Sequence, residues 1–459
     1  MNEANFPAAK DTQVGPPRLR RVLTLWDLVL YGIILIMPIA AVPLFGLVQQ
    51  LSNGLAVTTI LLAMVAMILT AYSYGRMASL YPSAGSAYVY VGRGLNAHLG
   101  FLAGWAMFLD YLLVPLVCAI YGALTLHRLL PSVSYAIWAA VLVGAMTSIN
   151  LRGIRATSGA NLVLLVVMMV VVFGFLILAV RFLLVREGWH GLFAVQPFYN
   201  HRTFRLSSIA TATSLAALTY GGFDGVSTLS EDAKNPRRDV LLATVIVCLF
   251  TGIFGGLQIY LAQRIWPDYH TFPNIETAFM DVARRVGGPL LFEAFALILI
   301  VANLGSGMTA QAGLSRLLFG MGRDNVIPSK FFAHLSAKRS TPAYNIWFIG
   351  IVTFVGAMVL NYEQAAELIN FGAFLAFMGV NAATVCRFYF IPQPGHRRHV
   401  LTDAILPGLG FLFCLTIWIS LPLSAKLLGG GWFLLGITYD AIKTRGFRES
   451  PAMYDLSGL

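Results

Sequence analysis

Apolar residues in this chain gather into long unbroken runs, and polar residues fall between them. The runs do not alternate polar with apolar, as barrel strands would, and most reach the roughly 20 residues that a helix needs to cross a bilayer. The pattern predicts an all-α membrane protein with twelve transmembrane helices, over residues 26–51, 55–80, 98–126, 135–150, 158–184, 207–230, 240–263, 288–320, 343–361, 366–390, 401–421 and 424–442. The fourth run is short, and the last carries Gly429, Gly430 and Gly431. A polar cytoplasmic tail, 1–24, leads into a transporter-sized bundle over 25–442, and 443–459 form a second tail. The longest polar stretches inside the bundle are 185–206 and 264–287. In the second, Glu276, Phe279 and Ala283 recur at helical spacing, which suggests a short helix outside the membrane.

Composition sharpens the picture. Hydrophobic residues make up 58 % of the chain and charged residues 11 %, against about 25 % charged in an ordinary globular protein. A water-soluble surface cannot be built from so few charges. A soluble enzyme, a nucleic-acid binder and a disordered chain are disfavoured, and the lipid bilayer is the first partner. The net charge of +11 is topological. Of the 31 Lys and Arg, 22 fall on the side of the N-terminal tail and 9 on the other. The positive-inside rule then places both termini in the cytoplasm of a multi-pass protein of the cytoplasmic (inner) membrane.

Candidate chemistry is sparse. Cys118, Cys248, Cys386 and Cys414 each lie inside an apolar run with no CxxC pair, which reads as buried thiols, not metal ligands or disulfides. No GxGxxG after a strand, no P-loop and no HExxH is present, so neither a cofactor, a metal nor a catalytic constellation is expected.

Two runs carry breaks. In the first, Pro38 and Pro43 remove backbone donors inside Ile36-Met37-Pro38 and beyond. In the sixth, Tyr220-Gly221-Gly222-Phe223-Asp224-Gly225 puts three glycines and an acid at mid-span. Each break alone reads equally as a proline kink or as close glycine packing. Interrupted helices at corresponding places in two halves, about 25–184 and 207–390, point to a transporter built from inverted repeats. Unwound backbone there exposes amides and carbonyls to a bound ion or substrate.

A charge at membrane depth costs about 3 kcal/mol or more and marks function by default. Asp110 and Tyr111 lie in the third run, and Asp224 adjoins the Gly221–Gly222 break, where it is also placed to cap a helix. Glu231 ends the sixth run beside Asp232, Lys234, Arg237 and Arg238, as a gate or as an interfacial charge. The eighth run carries Asn303, Ser306, Thr309, Gln311 and Ser315, which suit either cation ligation or helix–helix packing. Trp105, Phe108 and Tyr220 offer aromatic faces for an ammonium.

The chain resembles the amino acid–polyamine–organocation permeases. The resemblance rests on Tyr81-Pro82-Ser83-Ala84-Gly85-Ser86-Ala87-Tyr88 after the second run, and on Gly222-Phe223-Asp224 through Ser230-Glu231-Asp232-Ala233-Lys234-Asn235-Pro236-Arg237. It continues in Ser315-Arg316 through Gly322-Arg323-Asp324-Asn325-Val326-Ile327-Pro328 and in Leu368-Ile369-Asn370-Phe371-Gly372-Ala373. Within that family the run from Leu109 to Pro115 is similar to bacterial putrescine importers. The resemblance implies a leucine-transporter-like 5+5 inverted repeat with broken helices 1 and 6, and substrate held between them. It also implies a role for Tyr111 in substrate handling. Two features depart from the family pattern. Ile36-Met37-Pro38-Ile39-Ala40 replaces the glycine-rich first break, which suits a substrate without an α-carboxylate. Leu164 to Met168 contains no lysine to stand in for sodium, so the coupling ion stays open between H+, the first choice, and Na+.

The expectation is a secondary active transporter of a small amine or amino acid, with putrescine the first candidate. Substrate contacts are assigned to Ile36, Met37, Pro38, Asp110, Tyr111, Tyr220, Gly221, Gly222, Phe223 and Asp224, and coupling or gating to Asp224, Glu231, Ser306 and Thr309. The alternatives are an amino-acid permease without polyamine activity and a transporter-like sensor.

Overall fold

A computed structural model describes residues 22–82, 85–152, 158–230, 232–323, 327–336, 341–391 and 397–449. The described residues are helical apart from turns and one isolated parallel bridge between Leu23 and Ala233. The first run of the sequence forms α1 (Leu25–Ile36) and α2 (Phe45–Leu51), followed by α3 (Ala56–Leu80) and a short α4 (Ser86–Gly94). Then come α5 (Ala97–Leu129), α6 (Tyr135–Leu151) and α7 (Ser158–Glu187). The sixth run gives α8 (Leu206–Ala216) and a single turn, α9 (Gly225–Thr228). The rest of the chain is α10 (Pro236–Ile265), α11 (Ala278–Arg323), the short α12 (Ser329–Phe332), α13 (Ala343–Val359), α14 (Tyr362–Val385), α15 (Leu406–Ile419) and α16 (Leu423–Lys443).

Local chemistry sets many of these limits. Thr24 caps α1 in a reciprocal box with Asp27, and Asn361 does the same for α14 with Gln364. Asn96 caps α5 by accepting from the Leu99 amide at 2.8 Å. Pro236 opens α10, where its missing N–H is not needed. Within α11 the backbone kinks at Gly288, at φ 69°, just before Pro289. The turns ahead of that kink are the short helix foreseen around Phe279 and Ala283.

The expectation of twelve spanning helices is corrected. Among the described residues seven helices are long and apolar enough to cross a membrane: α3, α5, α7, α10, α11, α14 (running on to Phe390) and α15 (starting from Leu401). The others fall short for physical reasons. The breaks divide the first and sixth runs into pieces of 12, 7, 11 and 4 residues. Helices α6 and α13 have 17 residues each, about 25 Å at 1.5 Å per residue, less than the roughly 30 Å hydrocarbon core. In α16, Lys426, Asp440, Lys443 and three consecutive glycines dilute the apolar character. The molecule is an all-α membrane protein with about seven long apolar helices and shorter apolar ones packed among them, and the twelve-helix 5+5 arrangement does not stand.

Close contacts order the bundle end to end. Leu23 bridges Ala233 just ahead of α10. Near the end of α3, Gly75 leaves no room for a Cβ beside Leu241 of α10. Gly94, ending α4, lies against Met77 of α3 and Ala383 of α14. His98, near the start of α5, meets Asp440 of α16 at 2.9 Å. Residues 23 and 440 therefore lie at one end of the bundle, here the Leu23 end. The 30 residues of α10, about 45 Å of helix, lead to the opposite end. There Arg128 of α5 pairs with Asp281 of α11 at 2.8 and 3.1 Å.

Candidate functional site

Helix α1 stops where Pro38 has no N–H to give. Met37 bonds back to Ile33 at 3.0 Å and takes φ 66°, an unusual conformation for a residue with a side chain. The next amide to turn back is Ala40, onto the Met37 carbonyl. The carbonyls of Ile34, Leu35 and Ile36 are thus left without backbone donors among the described residues. The Pro38 carbonyl is taken by the Gln258 amide of α10 at 2.9 Å.

The second break begins as α8 tightens into a 3-10 turn, Ala217–Tyr220. Gly221 and Gly222 follow, the latter at φ 105°, a region that favours glycine. Gly222 packs on Leu35, so the two breaks face each other. Asp224 precedes α9 but its side chain makes no capping bond. The Asp224 backbone carbonyl instead accepts from the Ser227 amide at 2.9 Å and hydroxyl at 2.6 Å.

Between the breaks, α5, α11 and α14 lies a cavity of about 670 Å³. It reaches from Tyr362, at the Arg128 end of α14, to Met321, near the Leu23 end of α11. Ile36, Met37 and Pro38 border it from the first break, and Tyr220, Gly221, Gly222 and Asp224 from the second. Asp110 and Tyr111 border it from the middle of α5, and Ser306 and Thr309 from α11. Phe223 does not: it is fully buried, with its ring 5.6 Å from Tyr74 and 5.2 Å from Phe377. Tyr220 borders the cavity while donating its hydroxyl to the Ile60 carbonyl at 2.8 Å, which ties the break to α3. Glu231 lies outside the described residues.

The lining has one sign of charge. Asp110 and Asp224 contribute carboxylates, and no Lys, Arg or His is among the described residues that line the space. The two acids lie close enough to feel each other's charge. Acceptors add to this polarity. Pro115 inside α5 removes the amide that would bond the Tyr111 carbonyl, four residues earlier. With the carbonyls of Ile34 to Ile36, the site offers negative ends of dipoles beside two acids.

One wall is aromatic. Trp105 and Phe108 of α5 border the cavity and stack on Trp432 of α16 at 4.8 and 5.6 Å. The Trp105 indole donates to the Trp432 carbonyl at 2.9 Å, and the Trp432 indole returns a bond to the Trp105 carbonyl at 3.1 Å. On α11, Thr309 donates to Gly305 at 2.8 Å and Asn303 to Leu299 at 2.7 Å, inside their own helix. Gln311 is not at the cavity. It joins α11 to α6 and α13 through Asn150, Thr147 and Ile346.

The structure adds residues that the sequence did not single out as ligands: Tyr31, Tyr362 and Asn370. The Asn370 amide donates to the Ser214 carbonyl at 2.6 Å and so joins α14 to the broken α8. An amide inside an apolar run was the available signal. The whole arrangement can hold a small organic cation, with ammonium on carboxylate and carbonyl oxygen and methylenes against the rings.

Residues 23–436 match the amino acid permease family. Over 442 residues the chain is 33 % identical to the low-affinity putrescine importer PlaP of Escherichia coli strain K12, covering 95 % of this chain and 96 % of that one. It is 28 % identical over 401 residues to the vacuolar cationic amino acid transporter 4 of Arabidopsis thaliana, covering 83 % and 65 % respectively. It is 25 % identical over 477 residues to the branched-chain amino acid permease BcaP of Lactococcus lactis, covering 95 % and 97 %.

Proposed function

Since this chain belongs to the amino acid permease family, whose members are membrane transport proteins and not enzymes, we propose that its cargo is a small organic ammonium, putrescine first. The observation that carries this reading is the sign of the cavity: two carboxylates, unpaired carbonyls and no basic side chain among its described lining residues. An ammonium neutralises that charge, whereas an amino acid also brings a carboxylate into it. The similarity to a putrescine importer over nearly the full length of both chains supports the same cargo.

Transport proceeds by alternating access, with the facing breaks as the deformable part. Asp110, Tyr111 and Asp224 recognise the ammonium. The proton is the favoured coupling ion, carried on Asp110 or Asp224; sodium, held at Ser306 and Thr309, is the alternative. The Leu23 end carries Arg76, Arg93, Lys234, Arg237, Arg238 and Lys443 and faces the cytoplasm of the inner membrane.

A second reading, an amino-acid permease, is favoured by one detail. The Gly222 amide has no carbonyl partner among the described residues and would receive a carboxylate. Uptake of radiolabelled putrescine into proteoliposomes, with and without a proton gradient, separates the readings. The amine reading requires saturable uptake blocked by other diamines, with Tyr111→Ala raising KM. Uptake of an amino acid but not of putrescine would replace it with the permease reading.

A further inference from the structure

Three glutamates gather at the Arg128 end of the bundle, outside the site just described. Glu276 lies in the loop before α11. Glu363 and Glu367 stand four residues apart at the start of α14, so they lie on one face and repel. Their charges act on one another: Glu363 is felt by both Glu276 and Glu367. Burial first, and then the Glu363 charge, hold the Glu276 carboxyl above the usual carboxylate range. None of the three makes a hydrogen bond or ion pair among the described residues, although Glu367 is only 3 % exposed. The cations at this end are engaged elsewhere. Arg128 is held by Asp281, while Arg284 and Arg285 lie over the rings of Phe292 and Trp266.

A second observation points to a ligand. The Tyr121 side chain is wholly buried and its hydroxyl has no partner, yet it lies within electrostatic reach of Glu276. Its ring is 5.2 Å from that of Tyr362, and Tyr362 borders the 670 Å³ cavity. The unpaired acids, the unpaired phenol and two aromatic faces therefore meet where the cavity approaches this end of the bundle. The acids are too far apart to hold one metal ion, since no cluster of metal-binding side chains occurs among the described residues. A cation with hydrogen-bond donors and a carbon body fits the spread of the three carboxylates better.

We propose that Glu276, Glu363 and Glu367, with Tyr121 and Tyr362, form a second binding site for an alkyl ammonium, distinct from the Asp110–Asp224 site and in line with it. The proposal rests on the amine reading of the central cavity. The site receives the diamine at one end of the cavity and holds it before it reaches the breaks.

The test is equilibrium binding of radiolabelled putrescine to the purified full chain in lipid nanodiscs. The expected stoichiometry is two per protein. The pair Glu363→Gln and Glu367→Gln removes one and leaves the other. Asp224→Asn removes the one that the pair leaves. Glutamine keeps the side-chain shape, and Glu276→Gln, outside α14, gives an independent check: it raises the Kd of one of the two about tenfold. A stoichiometry of one, abolished by Asp224→Asn and unchanged by all three glutamate substitutions, overturns the second site and leaves the amine reading standing. No putrescine binding at all overturns both.

Discussion

The break after α1 and the break after α8 unwind their helices by different means. The first works by subtraction: Pro38 withholds a donor, and Met37 is driven to φ 66° despite its side chain. The second works by permission: Gly222 takes φ 105° without steric penalty. Their products differ too. The first leaves carbonyl oxygens, dipoles with no net charge, while the second delivers the Asp224 carboxylate. Both face the same cavity, so its negative polarity has two sources that can be removed one at a time.

Asp224→Asn removes the charge and keeps the shape. We expect putrescine uptake into proteoliposomes to fall on the order of a hundredfold, the scale of a lost charged hydrogen bond. Uptake close to that of the parent would mean that the carbonyls of the first break suffice. Next in size is the glycine pair. Gly222→Ala is expected to cost about 1–2 kcal/mol in thermal unfolding, because a Cβ disfavours positive φ. Gly221, at φ −53° and ψ 126°, needs no such freedom, and Gly221→Ala should lower Tm less. Equal losses would show that close packing, not φ, selects both glycines. Gln258→Leu leaves the Pro38 carbonyl unpaired, and a loss of about 1 kcal/mol is expected, read as a lower Tm. The smallest effect is Met37→Gly. Relief of strain, less the entropy of glycine, should net a gain of at most ~1 kcal/mol; a large loss would mean that the Met37 side chain holds the turn.

The same two breaks show how much the sequence discloses. Pro38 and Gly221–Gly222 act on their own backbone, so their positions could be read directly. Helix limits were legible for the same reason: α3, α6 and α7 begin and end within about three residues of their apolar runs, whose ends mark where lipid stops. The number of membrane-length helices was not. An apolar run does not disclose whether its backbone stays helical, and a run such as α13 satisfies hydropathy while falling short in length. In the site, Asp110 and Asp224 were legible because a charge in an apolar run is conspicuous. Tyr362 and Asn370 were not, because α14 is buried nearly all round and only its neighbours decide which side meets the cavity. Phe223 erred the other way. Its sequence neighbours Gly222 and Asp224 both border the space, yet the tight turn between them aims its ring at Tyr74.

The reciprocal bonding of Trp105 and Trp432 joins residues 327 apart in the chain. A ribosome working at about 5–20 residues per second needs roughly 16–65 s to cover that separation. For that interval the aromatic wall of α5 is in the membrane without its partner, and the cavity has a side open to lipid. Membrane quality-control proteases thus have a defined window in which to sample the half-made protein, and a chain truncated before Trp432 would stay in that window permanently.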